Sequence, residues 1–240
     1  GGHEALFDLV GPVVYRKEID ELSGTYLADY ESVCLTVHLE EAERVAYEEA
    51  RALYREFVEI RGIRMGGAGG WRRFLRETSR SKEGRRAFKA WAESRRLLQA
   101  PPAKLRLLEE LIRRHSEGRI IIFTNDNATV YAISKRMLVP AITHQTALPE
   151  RQQVLADFAS GLLPVLVTSR VLNEGIDIPS ADVAIVLSGT STVREHVQRL
   201  GRILRPQPGK RAVLYELVVA DSVEERTSSY RRQHRAFQEE

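Results

Sequence analysis

The sequence predicts an α/β fold: a three-layer domain with a mostly parallel sheet over residues 101–240, preceded by a small helical, basic region over 40–100. Two observations predict the sheet. Short apolar runs such as Arg119 to Thr124 (RIIIFT) read as strands buried on both faces. Five such runs alternate with helical stretches, the pattern that layers helices on a parallel sheet. A third observation sets the helical region apart. Between Arg61 and Arg96 there are twelve basic and three acidic residues, a local charge of about +9 in a chain whose total is +3.

Taken in order, Ile19 to Tyr30 reads as a short helix, and Ser32 to Leu39 alternates as a strand, with Val33, Leu35, Val37 and Leu39 on one face. Glu40 to Ile60 is rich in Ala, Glu, Arg and Leu and reads as a helix. Four glycines between Gly66 and Gly70 interrupt it. Trp71 to Gln99 resumes as one or two helices, with Trp71, Phe74, Phe88 and Trp91 among the arginines. Aromatics at that spacing read as core rather than as stacking platforms. Pro101-Pro102 marks a boundary. Beyond it come an amphipathic helix (Ala103 to His115), a strand (119–124), a helix (Asn127 to Leu138) and a short strand (Pro140 to Thr143). The helix Pro149 to Ser160 precedes strands Pro164 to Thr168 and Val183 to Leu187. A helix from Thr192 to Leu200, a strand from Ala212 to Val219 and a helix from Ser222 to Gln238 complete the series.

The bulk numbers exclude several classes. The lone Cys34 allows no intrachain disulfide and fits a reducing, cytoplasmic setting. No apolar stretch approaches the roughly 20 residues that span a bilayer. The opening Gly1-Gly2-His3, without an initiator Met, reads as the start of a cut piece of a longer protein.

Chemistry concentrates at predicted strand ends, where ligands of parallel α/β sheets sit. Arg199, Arg202 and Arg205 recur every three residues and share one helix face. Such a comb of planar, permanently charged guanidinium groups suits nucleotide phosphates and the charge that develops in phosphoryl transfer. The plain alternative is a solvated helix face. Thr168 and Ser169 close a strand before Glu174, Gly175 and Asp177; hydroxyls there suit phosphate oxygens, and the aspartate suits a ribose or an arginine. An ordinary capping loop is the alternative, and the loop alone does not decide. Thr143-His144-Gln145 follows another short strand, while Arg151 and Phe158 by themselves read as a surface and a core residue. No G-x-x-x-x-G-K-[ST] and no acidic box is present; the glycine cluster lacks the lysine and follows a helix.

Taken together, IIIFTND, THQTALPERQQVLADFASG, VLVTSRVLNEGIDIPSADVAI and QRLGRILRP resemble motifs IV, IVa, V and VI of superfamily 2 helicases. More narrowly, the chain resembles archaeal-type members of the XPB family of DNA helicases. Residues 1–39 are similar to the segment joining that family's two motor domains, 40–100 to its thumb-like insertion, and 101–240 to its second RecA-like domain. The resemblance implies that Arg202 and Arg205 are arginine fingers, and that Gln198, Arg199, Glu174, Gly175 and Asp177 line the nucleotide cleft. It implies that Thr168, Thr124 and His144 line the nucleic-acid path, with Arg72, Arg73, Arg76, Arg85 and Arg86 on the DNA backbone. It further implies ATP and Mg²⁺ as cofactors of the intact two-domain enzyme, with neither bound tightly by this piece alone. The implied partners are a single strand or fork of DNA, the N-terminal motor domain and a nuclease; the chain is expected to be monomeric and nucleoid-associated. A motor half retired to a non-catalytic clamp for DNA or protein is the competing reading, and a small signalling or transferase domain a third.

Overall fold

The computed structural model describes residues 16–17, 30–66, 69–169, 181–187 and 212–228. Its strands are β1 (Arg16–Lys17), β2 (Tyr30–Val37), β3 (Ile120–Phe123), β4 (Ala141–Ile142), β5 (Val165–Thr168), β6 (Val183–Val186) and β7 (Ala212–Val219). They form one sheet in the order β1-β2-β7-β6-β3-β5-β4. Every neighbouring pair is parallel except β1 and β2. The continuous apolar runs take the central places: every residue of β3, β5 and β6 is buried. One core cluster joins Ile121, Phe123, Leu166, Ala184, Val186 and Leu214 to Leu155 and Phe158.

Three helices follow from recognisable local signals. α4 (Pro102–Arg114) begins at the expected proline. In α5 (Asn127–Met137) the Asp126 carboxylate accepts from the Thr129 backbone N–H at 2.9 Å. The third, α6 (Leu148–Ser160), ends at Gly161 with φ 82°. Residues 223–228 are helical as well. The helix expected over Thr192 to Leu200 and the rest of the closing helix lie outside the described residues, as do residues 19–29 of the first expected helix.

Two units divide the chain: Gly1–His38 with Pro102–Glu240, and Leu39–Pro101. From sequence, five strands are expected and residues 1–39 stand apart. The structure adds β1 and β2 to the sheet, β2 running parallel to β7 from Tyr30–Ala212 to Val37–Val219. Val33, Cys34, Leu35 and Val37 are buried. Cys34 is covered like its aliphatic neighbours, with Ser32 and Thr36 half-buried beside it, so the second face of the strand is partly buried where its alternation implied a single buried face.

The second unit contains α1 (Glu41–Ile60), α2 (Gly70–Arg80) and α3 (Lys82–Gln99). The end of α1 is closed by Gly62 N–H to the Glu59 carbonyl and Ile63 N–H to the Val58 carbonyl, both 2.9 Å, around Gly62 at φ 58°. The glycine cluster permits a close approach: a Cβ on Gly70 would stand 2.1 Å from the Arg64 carbonyl oxygen. Ser81 separates α2 from α3 and caps α3 by accepting from the Gly84 N–H at 2.9 Å. Phe57, Ile63, Phe74 and Ala87 form this unit's core.

Candidate functional site

Sheet order decides which candidate segments start near one another. β5 and β6 are the two neighbours of β3. Phe123 lies level with Thr168 on one side and Val186 on the other, so the three strands end at one edge. Residues 170–180, with Glu174, Gly175 and Asp177, follow β5; residues 188–211, with Gln198, Arg199, Arg202 and Arg205, follow β6. These seven residues lie outside the described residues. Their points of departure do not, and two strand spacings, about 10 Å, separate them.

The described part of this edge is polar and closely knit. Thr124 and Thr168 are 2% and 0% exposed, and each hydroxyl donates at 3.0 Å to a main-chain carbonyl, that of Asp126 and Ser169 respectively. Their hydroxyls are therefore engaged within the fold, and His144 is the exposed member of that predicted trio. A chain of hydrogen bonds leads to it. Ser169 Oγ donates to Asn127 Oδ1, and Asn127 Nδ2 donates to His144 Nδ1, both at 2.8 Å. With Nδ1 accepting, the neutral ring carries its proton on Nε2. Asn127 was not singled out from sequence; its place at the first turn of the helix after β3 is the signal that marks it.

Arg151 is more than a surface residue. Its Nη2 donates to the carbonyls of Thr143 and Thr146, each at 3.2 Å, and so clamps the turn that presents His144 and Gln145. Phe158 is core, as expected.

A buried ion pair beside the same edge was not anticipated. Lys104 is fully buried, and its Nζ donates to the Leu187 carbonyl at 2.5 Å and to Glu224 Oε2 at 2.6 Å. Glu224 Oε2 also accepts from the Val219 N–H at 3.1 Å. Burial pushes Lys104 below the usual lysine range and Glu224 above the usual carboxylate range, and each charge partly offsets the shift of the other. The sequence signal was present: Lys104 stands in register with Leu107, Leu108 and Leu111, the buried stripe of α4.

On the helical unit, Arg72, Arg73, Arg76, Arg85 and Arg86 are all exposed. Arg73 Nη2 donates to the Arg61 carbonyl at 2.9 Å, Arg85 Nη1 to that of Ser79 at 3.5 Å, and Arg76 pairs with Glu77 at 3.7 Å. Arg72 and Arg86 have no ion-pair partner among the described residues. The aromatic cluster differs from expectation. Phe74 is core at 0% exposure, but Trp71 and Phe88 are 40% and 37% exposed. Trp71 and Trp91 stand 4.7 Å apart, and Phe88 stacks on Trp91 at 5.7 Å. Phe74 fills the core position, while Trp71 and Phe88 pack against it from the solvent side and keep part of each ring uncovered.

Among the described residues no helix is long and apolar enough to cross a membrane, and no three His, Cys, Asp or Glu side chains gather as metal ligands.

The helicase conserved C-terminal domain matches residues 103–207. The DNA 3'-5' translocase XPB2 of Sulfurisphaera tokodaii is 38% identical over 97% of this chain and 53% of its own length. The DNA 3'-5' helicase XPB of Kineococcus radiotolerans is 27% identical over 95% of this chain and 34% of its own. Both alignments extend well beyond the matched domain, across the basic helical unit. The chain thus spans about half, or less, of the length of these relatives. Among solved structures, the Sulfolobus solfataricus SWI2/SNF2 ATPase core in complex with dsDNA shares the fold, with a TM-score of 0.61 at 13% identity over 86% of this chain and 44% of that one. The parallel α/β sheet, the domain match and the near-complete alignment to XPB2 agree: this chain carries the conserved C-terminal domain of a superfamily 2 helicase and is similar along nearly its whole length to the XPB proteins.

Proposed function

We propose that this chain is the C-terminal half of an ATP-dependent DNA helicase or translocase, moving 3′ to 5′ and serving repair or transcription. It supplies one wall of a composite nucleotide site. Arg202 and Arg205 act as fingers toward the γ-phosphate, with Gln198, Arg199, Glu174, Gly175 and Asp177 lining the cleft. The single observation that carries this reading is topological: the two candidate segments leave from strands on either side of β3, at one edge. The magnesium-bound triphosphate itself would be held by the other half, because the phosphate loop and acidic box are absent from this sequence. Mg²⁺ supplies charge neutralisation on the β- and γ-phosphates when bound. What this chain's residues do is place positive charge opposite them once the halves close.

The test is ATP hydrolysis by this chain alone and by the full-length protein that contains it, with and without DNA. Turnover confined to the full-length protein and stimulated by DNA is the expected result. Turnover by the chain alone sinks the composite site; DNA binding without turnover in either form leaves a clamp.

DNA contact is assigned to the basic helical unit and to the edge around His144. Counter-ion release makes such a grip fall steeply with salt. Replacing Arg72 and Arg86 by glutamate should weaken DNA binding. It should also flatten the slope of log K against log salt by about 0.7 to 0.9 for each phosphate that is no longer neutralised. These two are chosen because neither has a side-chain partner among the described residues. An unchanged slope, measured by fluorescence anisotropy across a salt series, makes the basic face merely solvated.

A further inference from the structure

The proposed mechanism makes no use of Lys104, although its position is costly. It is fully buried in the first turn of α4. A cation there opposes the positive end of the helix dipole as well as losing its hydration. Packing alone would be served by leucine, as at 107, 108 and 111. What a leucine would not do is hold the Leu187 carbonyl.

Leu187 is the last described residue after β6 and is itself fully buried. Its N–H donates to the Phe123 carbonyl at 3.0 Å, and its carbonyl accepts from Lys104 Nζ at 2.5 Å. The peptide groups on both sides of Leu187 are thereby fixed where residues 188–211 begin. The other end of the ammonium is fixed in turn. Glu224 receives it, and Glu224 is held by the Val219 N–H and by its own N–H to Ser222 Oγ at 3.0 Å. One side chain thus ties the start of α4, the end of β6 and the end of β7.

We propose that Lys104, seated by Glu224, is a positioning residue for the arginine comb: it sets the direction in which the chain leaves β6 and so where Arg199, Arg202 and Arg205 are delivered. This inference rests on the finger reading above. A displacement of about 1 Å at a reacting centre lowers turnover on the order of a hundredfold. The lysine therefore acts on kcat through residues it does not touch.

The experiment uses the full-length protein with Lys104→Met and Glu224→Leu together. Replacing a buried pair by apolar residues of similar volume is often neutral or stabilising, but here the Leu187 carbonyl and the Val219 N–H lose their partners, so the melting temperature should fall less than in Lys104→Met alone. DNA-stimulated kcat should fall about a hundredfold, with KM for ATP and DNA affinity little changed. Amide hydrogen exchange should quicken across 188–211 and stay as it was in β3 and β5. On an Arg202→Ala background the pair replacement should lower kcat no further, because both act through one group. If the pair replacement melts without cooperativity, Lys104→Met with Glu224→Gln keeps an acceptor for the Val219 N–H and is read the same way. Normal kcat with unchanged exchange, while Arg202→Ala is inactive, overturns this inference. Normal turnover in Arg202→Ala overturns the finger reading instead, and the exchange of 188–211 then decides alone whether Lys104 positions the segment.

Discussion

Replacing Arg202 by alanine in the full-length protein is expected to lower DNA-stimulated ATP hydrolysis by about 10³ to 10⁵, the range an arginine finger contributes in nucleotide hydrolases. DNA affinity should stay near its starting value, because the DNA contacts are assigned elsewhere. The cause is electrostatic. As the γ-phosphoryl group leaves, charge accumulates on its equatorial oxygens, and a guanidinium held against them lowers the barrier without meeting a comparable charge in the ground state. Lysine should not rescue activity. It presents a point charge on a flexible stem, whereas arginine presents a planar fork that matches two oxygens at once. Steady-state turnover with saturating DNA, paired with anisotropy measurements of DNA binding, checks both halves of the prediction. Normal turnover in Arg202→Ala removes the comb from the reaction.

The second large effect concerns stability. Lys104→Met alone should cost about 3 to 5 kcal/mol, the usual penalty for stranding one member of a buried pair. It should also create a pH dependence that the intact pair does not contribute. The Lys104–Glu224 pair holds one proton, whether drawn as two charges or as two neutral groups. A lysine and a glutamate in the unfolded chain also hold one proton between roughly pH 5 and pH 10. The proton counts match, so the pair adds no slope to stability across that range. Without the lysine, Glu224 stays buried and its pKa stays raised by burial. The folded state then binds a proton that the unfolded state has released. Its contribution is full below the ordinary carboxylate range and is lost as pH rises through the raised folded value. Urea denaturation of Lys104→Met between pH 4.5 and pH 8 should show stability falling with pH; a flat series contradicts the buried, unpaired carboxylate.

Local pattern made much of this molecule legible. IIIF, VLVT and VAIV are continuous apolar runs, and each is a central strand buried on both faces. Pro101-Pro102 announced the start of α4, and the glycine cluster the gap between α1 and α2. Long-range pairing was not legible. The strand over 30–37 was visible by alternation, but nothing local says that it pairs in parallel with 212–219 and so belongs to the sheet rather than to a linker. Exposure at the aromatic cluster escaped for a similar reason: spacing tells which side chains share a face, not how much of each ring its neighbours cover. Lys104 shows the converse. Its place on the apolar stripe was readable, but its meaning depends on Leu187 and Glu224, which only the folded sheet brings to it. At the edge, the hydroxyls of Thr124 and Thr168 turned out to be engaged with carbonyls, while Asn127, the first residue of α5, joins Ser169 to His144.

One arrangement bears on how such a protein diversifies. The carbonyl of Val37, at the end of β2, accepts from the Ala220 N–H at 2.8 Å. Lys104, two residues into the returning chain after Pro102, reaches Glu224, which holds the Val219 N–H. The sheet unit thus closes its own hydrogen bonds around 219–220 on both flanks of the stretch 39–101. A host whose ends are secured in this way can accept, lengthen or shed the intervening segment without shifting strand register, since closing a longer loop costs only about 0.6 kcal/mol per doubling of its length. The sequence of the helical unit can therefore change while the strand order and register of the sheet unit stay under separate constraint.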